Sequence, residues 1–200
     1  MIAIRGAKSA IARSLIEMFP EGESVYAVPR NEKPPMDCER YLFCAGLLRA
    51  KSGAEQSDAE RKESFVVNAE QVIRACDEIL AANDNARICV MGSESGFAGS
   101  YDTTYAEAKR ALHSYVETKK LRTPRQQLVC VAPNIIRDAE MTLTRHDLTE
   151  VDRRAMAHPK GRFLAAREVA RLIHFLLYVD EGYISGVTIR INGGAHTAET

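Results

Sequence analysis

Residues 93–109 read SESGFAGSYDTTYAEAK, and this segment decides how the rest of the chain is interpreted. It follows an apolar run, residues 88–91, that has the length of a buried strand. Tyr105 and Lys109 are four residues apart in a helical pattern, so their side chains lie on one helix face. Ser93 would meet them at the carboxyl end of the strand, where open α/β sheets bind ligands. The segment therefore predicts an acid/base site suited to carbonyl chemistry.

Strands and helices alternate on both sides of this segment. Such alternation is typical of a Rossmann-type α/β fold, in which a doubly wound parallel sheet lies between two layers of helices, α/β/α. The length suits one domain that covers residues 1–200. The predicted strands are residues 2–4, 24–28, 42–44, 88–91, 128–132 and 187–191, and the predicted helices are residues 10–19, 65–83, 105–121 and 167–178.

The connection between the second and third predicted strands is short. It has 13 residues, 29–41, and three of them are prolines. A crossover through a helix to a further strand needs about ten to twelve residues before that strand begins. The same stretch, fully extended, reaches roughly 43 Å, which is enough to cross a sheet. We therefore expect a bare loop, and a sheet that lacks one strand and the helix before it.

The composition favours a protein that acts on a small molecule. The 27 basic and 27 acidic side chains give a formal net charge of zero, so no basic surface for nucleic acid or an anionic membrane is indicated. No apolar run approaches the roughly 18 residues of a membrane span, and the start of the chain does not resemble a signal peptide. Five scattered cysteines without metal-ligand spacing indicate reduced thiols. We expect a cytoplasmic protein without a metal site.

The first turn of the chain predicts an anion site. A short apolar strand leads into residues 5–9, RGAKS, and then into a helix for which Ser9 is a suitable N-cap. A glycine turn at Gly6 beside the unpaired N–H groups of a helix N-terminus suits a pyrophosphate. Many strand–helix units begin in this way, so the turn alone does not identify a ligand.

Taken in order, these motifs resemble the short-chain dehydrogenase/reductase family over most of the chain. The family's turn, Thr-Gly-x-x-x-Gly-x-Gly, corresponds to residues 5–12, RGAKSAIA. Its ending, Tyr-Ile-Thr-Gly to Asp-Gly-Gly, is similar to residues 183–186 and 192–194. Its Asn-Ala-Gly, helix asparagine, serine, tyrosine, lysine and Pro-Gly correspond, in that order, to Cys44-Ala45-Gly46, Asn68, Ser93, Tyr105, Lys109 and Pro133-Asn134.

The resemblance implies an oxidoreductase that interconverts a carbonyl and a secondary alcohol on a small molecule. In it, Tyr105 exchanges a proton with the substrate oxygen, and Ser93 orients that oxygen by a hydrogen bond. Lys109 lowers the pKa of the phenol and holds the nicotinamide ribose. Asn68 helps to hold a water that leads to the lysine. The implied cofactor-binding residues are Gly6, Lys8, Ser9, Ile11, Arg30, Ala45, Gly46, Tyr105, Lys109, Pro133 and Ile136.

The expected cofactor is NADP, with NAD as the alternative. NAD-selective members of the family have an acidic residue after the second strand, where this chain has Arg30 and Asn31. An arginine can grip a 2′-phosphate with its planar fork. Lys8, together with Arg5, adds positive charge. The family also implies a homodimer or homotetramer built from the helices that begin near Ser64 and Tyr105, whose apolar faces are compatible with it.

Several positions depart from the family pattern. Ala10 and Ala12 replace two glycines of the turn and add methyl groups where the backbone approaches a phosphate or packs on a strand. Cys44 replaces an asparagine that helps to join neighbouring strands, and Asp138 replaces a frequent threonine near the nicotinamide. The missing third strand and its helix would normally wall one side of the adenine pocket. These departures predict weak or altered cofactor binding.

The departures also support an alternative, in which the scaffold has lost efficient catalysis and senses a dinucleotide or binds a protein.

Among the site residues, Ser95 is a rival to Ser93, although its hydroxyl suits a loop cap better. Asn68 could simply bend its helix. Within the long charged connection of residues 135–164, the segment 137–162 should cover the substrate. His146 and His158 lie in that connection, where a surface role is favoured over a binding role.

Overall fold

The computed structural model describes residues 1–30, 32–49, 51–143 and 148–195, without the side chains of residues 148–152. Asn31 and His146 therefore lie outside the described residues. The strands form one six-stranded parallel sheet in the order β2-β1-β3-β4-β5-β6, which confirms the predicted Rossmann-type architecture. The strands are β1 (Ile2–Arg5), β2 (Val25–Val28), β3 (Arg40–Phe43), β4 (Arg87–Met91), β5 (Gln127–Pro133) and β6 (Val187–Ile191).

Two helices continue through π-helical turns, Val66–Glu70 between α2 and α3 and Phe175–Val179 after α8. The first helix ends at Ile16, three residues before its predicted end, because Met18 and Phe19 bond to carbonyls three residues back and Pro20 follows. The helices are α1 (Ala10–Ile16), α2 (Asp58–Phe65), α3 (Gln71–Ala82), α4 (Ser95–Ala98), α5 (Thr103–Thr118), α6 (Glu140–Leu143), α7 (Leu148–Ala157) and α8 (Ala166–His174).

The connection from β2 to β3 is the predicted bare loop. Of its described residues, none lies in a helix or strand, and β2 is an edge strand that pairs with β1. Val25 and Tyr26 are consequently exposed at this edge. The long connection after β5 is more ordered than its irregular sequence predicts, since it contains α6 and α7.

Helices cover both faces of the sheet. α1 and α8 pack on one face, whereas α3 and α5 pack on the other through Val72, Ile79, Leu112 and Val116. Because these apolar side chains are buried in the core of the chain itself, the apolar faces of α3 and α5 do not support the predicted interface between copies. No described helix is both long enough and apolar enough to cross a membrane.

The topology gathers the predicted site at one edge. In a parallel sheet all carboxyl ends lie on the same side, and the registers align Arg5 with Phe43 and Met91 with Val131. The segments that follow β1, β3, β4 and β5 therefore lie near one another. These segments carry most of the residues that the motifs single out.

Candidate active site

Ser93 and Tyr105 meet at the carboxyl end of β4. Both side chains line the same cavity, and the Ser93 hydroxyl is near enough to the phenol to lower its pKa. Asp102 is the N-cap of α5, and its Oδ1 accepts a hydrogen bond from the N–H of Tyr105 at 3.0 Å, which fixes the phenol on the first turn. The other oxygen of Asp102, Oδ2, accepts from the N–H of Arg49 at 3.2 Å. This buried carboxylate ties the start of α5 to the segment that follows β3.

The geometry distinguishes between the two candidate serines. The Oγ of Ser93 affects the pKa of the Tyr105 phenol and accepts a hydrogen bond from the N–H of Ser95 at 3.2 Å. Ser95 begins the short helix α4 and lines the same cavity. Ser93 is thus the serine that contacts the phenol, and its hydroxyl also orders the start of α4.

Burial sets the electrostatics of Tyr105. Its side chain is 8% exposed, and loss of hydration raises the pKa of the phenol above its ordinary value of 10.0. The Ser93 hydroxyl lowers the pKa of the phenol, and this effect is smaller than that of burial. The prediction of a lowered phenol pKa is therefore wrong for the chain by itself, which holds Tyr105 as a neutral phenol.

Lys109 lies one helical turn after Tyr105 on α5. It is 3% exposed, and its Nζ donates a hydrogen bond to the carbonyl of Met91 at 2.8 Å. The same Nζ is 5.5 Å from the centre of the Tyr105 ring. Burial lowers the pKa of the ammonium to about 8, against weaker opposing effects of Cys130 and Cys44. The proton on this lysine is consequently labile near neutral pH.

Asn68 is not joined directly to the other three residues by a hydrogen bond within the described chain. Its carboxamide holds Leu47 instead, accepting from the N–H at 3.0 Å and donating to the carbonyl at 2.7 Å. Its Nδ2 also donates to the carbonyl of Ser64 at 2.9 Å. Because Asn68 lies in the π-helical turn after α2, it clamps that turn to the segment that follows β3.

The glycine turn has the shape of a nucleotide cradle. Gly6 has φ +91°, and a Cβ on it would lie 2.5 Å from the N of Ala45, so no larger residue fits without a shift of the backbone. The thiol of Cys44 contacts the carbonyls of Arg5 and Gly6 at 3.4 and 3.3 Å. A thiol thus joins β1 and β3 where the family pattern has an amide.

The two alanines of the turn are accommodated. Ala12 is fully buried and Ala10 packs at the edge of the same core. Ser9 caps α1, since its Oγ accepts from the N–H of Ala12 at 3.2 Å. Ile11 is a core side chain, so any contact that it makes with a cofactor would come from its main chain.

A cavity of about 610 Å³ opens beside this turn. Three cations line it, Arg5, Lys8 and Arg30, and no Asp or Glu is among the described residues of its wall. Arg30 is only loosely paired, with Nη2 3.6 Å from the exposed carboxylate of Glu63. The wall also includes Ala45 and Gly46. The cavity is therefore positive and suited to an anion.

A second cavity, of about 280 Å³, contains the Ser93 and Tyr105 side chains. Pro133 and Ile136, two of the predicted cofactor-binding residues, line this cavity rather than the larger one. Helices α6 and α7 contribute Met141, Thr142 and Arg154 to its wall. The long connection after β5 therefore forms part of the wall of the cavity that contains the phenol, and its contact with a substrate stays a prediction.

A family profile described as Enoyl-(Acyl carrier protein) reductase matches residues 41–196, which is most of the chain. The chain belongs to the short-chain dehydrogenase/reductase family. It is 29% identical over 160 residues to 3-oxoacyl-(acyl-carrier-protein) reductase FabG of Pseudomonas aeruginosa, an alignment that covers 76% of this chain and 63% of that protein. The chain thus spans less than two thirds of the length of this curated relative.

Solved structures of short-chain dehydrogenases/reductases share the fold. A short-chain dehydrogenase/reductase from Brucella melitensis is similar with a TM-score of 0.82 at 23% identity, over 97% of this chain and 95% of that chain. A variant of ElxO with NADPH bound is similar with a TM-score of 0.81 at 17% identity, over 98% of each chain. At these identities the similarity is one of fold.

One residue of this short-chain dehydrogenase/reductase site was not singled out from the sequence. His113 lies one further turn along α5, and its Nε2 accepts from the N–H of Ser93 at 3.3 Å. Its ring stacks on Phe97, and a Cβ on Gly92 or Gly96 would lie 2.4 or 2.5 Å from it. The spacing of four from Lys109, and the two glycines that flank Ser93, are the sequence signals that could have identified it.

Two further polar residues have structural partners. The carboxylate of Asp138 accepts from the N–H of Ala166 at 2.8 Å and so orders the start of α8. His158 Nε2 is 3.0 Å from the carbonyl of Asn192, which ties the end of α7 to the segment after β6. Among the described residues, no group of three or more histidine, cysteine, aspartate or glutamate side chains could hold a metal.

Proposed function

We propose that this protein is an NADP(H)-dependent oxidoreductase that reduces the carbonyl of a small molecule to a secondary alcohol. The observation that carries the proposal is that Ser93 and Tyr105 line one cavity, with Lys109 buried 5.5 Å from the centre of the Tyr105 ring. The name of the bacterial relative, a 3-oxoacyl reductase, supports reduction of a carbonyl. The description of the family profile names an enoyl reductase, so the test below includes both kinds of substrate.

The residues present fit a dinucleotide. Gly6 lets the turn pass close to the main chain of Ala45, and the N-terminus of α1, capped by Ser9, offers N–H groups to a phosphate. Arg5, Lys8 and Arg30 supply positive charge without a carboxylate on the same wall, which favours NADP over NAD. Ala45, Gly46, Tyr105, Lys109, Pro133, Ile136 and the main chain of Ile11 complete the set that would hold the cofactor.

The proposed proton transfer starts from a neutral phenol. The Ser93 hydroxyl donates a hydrogen bond to the carbonyl oxygen of the substrate and holds it beside Tyr105. Tyr105 then gives its proton to that oxygen as negative charge develops on it. When bound, the reduced nicotinamide supplies the hydride that reaches the carbonyl carbon. The raised pKa of Tyr105 suits this direction, because reduction begins with the proton on the phenol.

Lys109 is proposed to stabilise the phenolate that remains and to return a proton to it. Its ammonium is close to the Tyr105 ring, and a pKa of about 8 lets it release a proton at physiological pH. Asn68 supports this step indirectly by clamping Leu47, and one lone pair of its Oδ1 is left to bind a water. The cytoplasmic location and the homo-oligomer stay predictions.

The substitution Tyr105→Phe tests the proposal. It should lower the rate of NADPH oxidation at least about 100-fold on any accepted substrate, since it removes the general acid. Fluorescence titration should show that the variant still binds NADPH, and that the wild type binds NADPH more tightly than NADH. Tyr115→Phe is the matched control, because it removes a hydroxyl from the same helix outside both cavities.

The screen should offer aldehydes, ketones and conjugated alkenes with each reduced cofactor. Turnover of alkenes alone would replace carbonyl reduction by enoyl reduction. Full activity of the Tyr105→Phe variant would contradict the assigned acid. Failure to bind either cofactor at millimolar concentration would instead favour the alternative of a scaffold without catalysis.

A further inference from the structure

The small cavity carries an unbalanced positive charge. Among its described lining residues, the charged ones are Glu94 and Arg154. Glu94 is neutralised, because Arg190 holds both of its carboxylate oxygens and Asn192 donates to Oε1 at 3.2 Å. Arg154, in contrast, forms no hydrogen bond or ion pair with the residues that the structure describes. One guanidinium in this wall is therefore available to a ligand.

Arg154 lines the same cavity as the reacting groups but comes from a different element. It comes from α7, on the side of the cavity formed by the long connection, while Ser93 and Tyr105 come from the segment after β4 and from α5. The cavity of about 280 Å³ is at the small end of the range for ligand pockets, so a bound substrate would reach both walls. A group at one end of such a substrate meets Arg154 when its carbonyl meets Tyr105.

We propose that the substrate is a small oxo acid whose carboxylate is held by Arg154 while its carbonyl lies between Ser93 and Tyr105. This rests on the proposed function. A guanidinium forms two parallel hydrogen bonds with a carboxylate, and such charge-assisted bonds are stronger and more directional than neutral ones. The buried Lys109 adds further positive potential on the other side of the phenol. A substrate with an amine at the same position would be rejected.

Oxo acids and their methyl esters provide the test. Pyruvate, acetoacetate and levulinate place the carboxylate at three distances from the carbonyl, and each methyl ester keeps the shape but removes the charge. The wild type should use one of the acids roughly ten- to hundred-fold better than its ester, as kcat/KM with NADPH. The difference should lie mainly in KM, and raising the salt concentration should reduce it.

Variants of α7 assign the preference to one residue. Arg154→Gln should remove the advantage of the acid and leave the ester nearly unchanged. Arg153→Gln removes the same charge from the preceding residue of the helix, which does not line the cavity. This variant should keep the preference for the acid over its ester. Equal use of acid and ester by the wild type, or an equal loss for both substrates in Arg154→Gln, overturns the inference.

The two proposals fail in different ways. If the enzyme turns over esters and other neutral carbonyl compounds without any preference for acids, the oxidoreductase proposal is supported and the oxo-acid inference is contradicted. A lack of turnover for acids, esters and neutral carbonyl compounds alike would remove both.

Discussion

Three residues on one face of α5, Tyr105, Lys109 and His113, are each less than a tenth exposed. Spaced by four, they form a column that runs from the cavity into the core. Burial disfavours the charged form of each side chain. It raises the pKa of the phenol and lowers the pKa values of the ammonium and the imidazolium. At neutral pH the phenol and the imidazole are therefore neutral, whereas Lys109 keeps most of its positive charge and loses its proton more readily than a surface lysine does.

His113 should make the protein sensitive to acid. Burial first, and the charge of Lys109 second, lower its pKa from 6.5 to about 4. Between these values the unfolded chain binds a proton that the folded chain does not, so stability is lost as pH falls from 6.5 towards 4. The loss should be on the order of 3 kcal/mol. Urea unfolding of wild type and His113→Gln across this range measures it.

The variant removes the titrating group but can still accept from the N–H of Ser93. Its free energy of unfolding should depend less on pH in this window than that of the wild type. Parallel curves for the two proteins would show that other groups cause the acid sensitivity.

At the scale of elements, the turn between β1 and α1 depends on one close approach. The main chain at Gly6 passes so near Ala45 that β1, β3 and the start of α1 share a single packed junction, closed by the thiol of Cys44. Because β2 is the edge strand of the sheet, this junction forms one wall of the larger cavity. Its geometry therefore decides whether a phosphate can reach the α1 N-terminus.

Gly6→Ala should unfold more easily and lose NADPH. Gly22→Ala is its matched control, since Gly22 has φ +85° but open space around it. Both changes place a side chain in the left-handed region, which costs roughly 1–2 kcal/mol. Only Gly6→Ala also forces a methyl group against the backbone, so it should be the less stable of the two by urea unfolding. Equal stability, with NADPH still bound, would contradict this account.

In the molecule as a whole, the sheet is sandwiched between two apolar layers that contain most of its thiols. Cys76, Cys89 and Cys130 are fully buried, and Cys44 lies at the junction of β1 and β3. Burial raises the pKa of every one of them, to about 11 for Cys44 and to about 12 for Cys130. The folded state therefore keeps four protons that the unfolded state releases from about pH 9 upward.

Stability should accordingly fall as pH rises above 9. The unfolded chain gains favourable ionisation there, whereas the folded chain does not until its higher pKa values are reached. Between about pH 8 and pH 10.5, Lys109 raises the stability as pH rises, because its pKa is lowered in the folded state. Its single contribution is smaller than the combined effect of the four thiols. We expect a loss of at least about 3 kcal/mol between pH 9 and about pH 11 by urea unfolding. Cys89→Val should flatten this fall, and an unchanged slope would count against the thiols.

Much of the fold was predictable because each signal is local. The apolar runs and helical periods located the strands and most helices, and the 13 residues between β2 and β3 were too few for another strand–helix unit. Helices α6 and α7 were not predicted, since they are short and their few apolar residues are scattered among charged ones. The end of α1 was misplaced because Phe19 continues the apolar pattern after the helix has tightened into a turn.

The sequence by itself determined the family, the alternation of strands and helices in a parallel sheet, and the expectation that Ser93 meets Tyr105, because a strand, a loop and a helix in direct succession leave few ways to connect. Only the tertiary structure decided the charge state of these groups, the partners of Asn68 and His113, and the place of Arg154 in the cavity wall. Burial and long-range contacts depend on which distant segments pack together. A neutral phenol, a lysine with a lowered pKa and a guanidinium without a partner among the described residues are properties of that packing, and no spacing along the chain contains them.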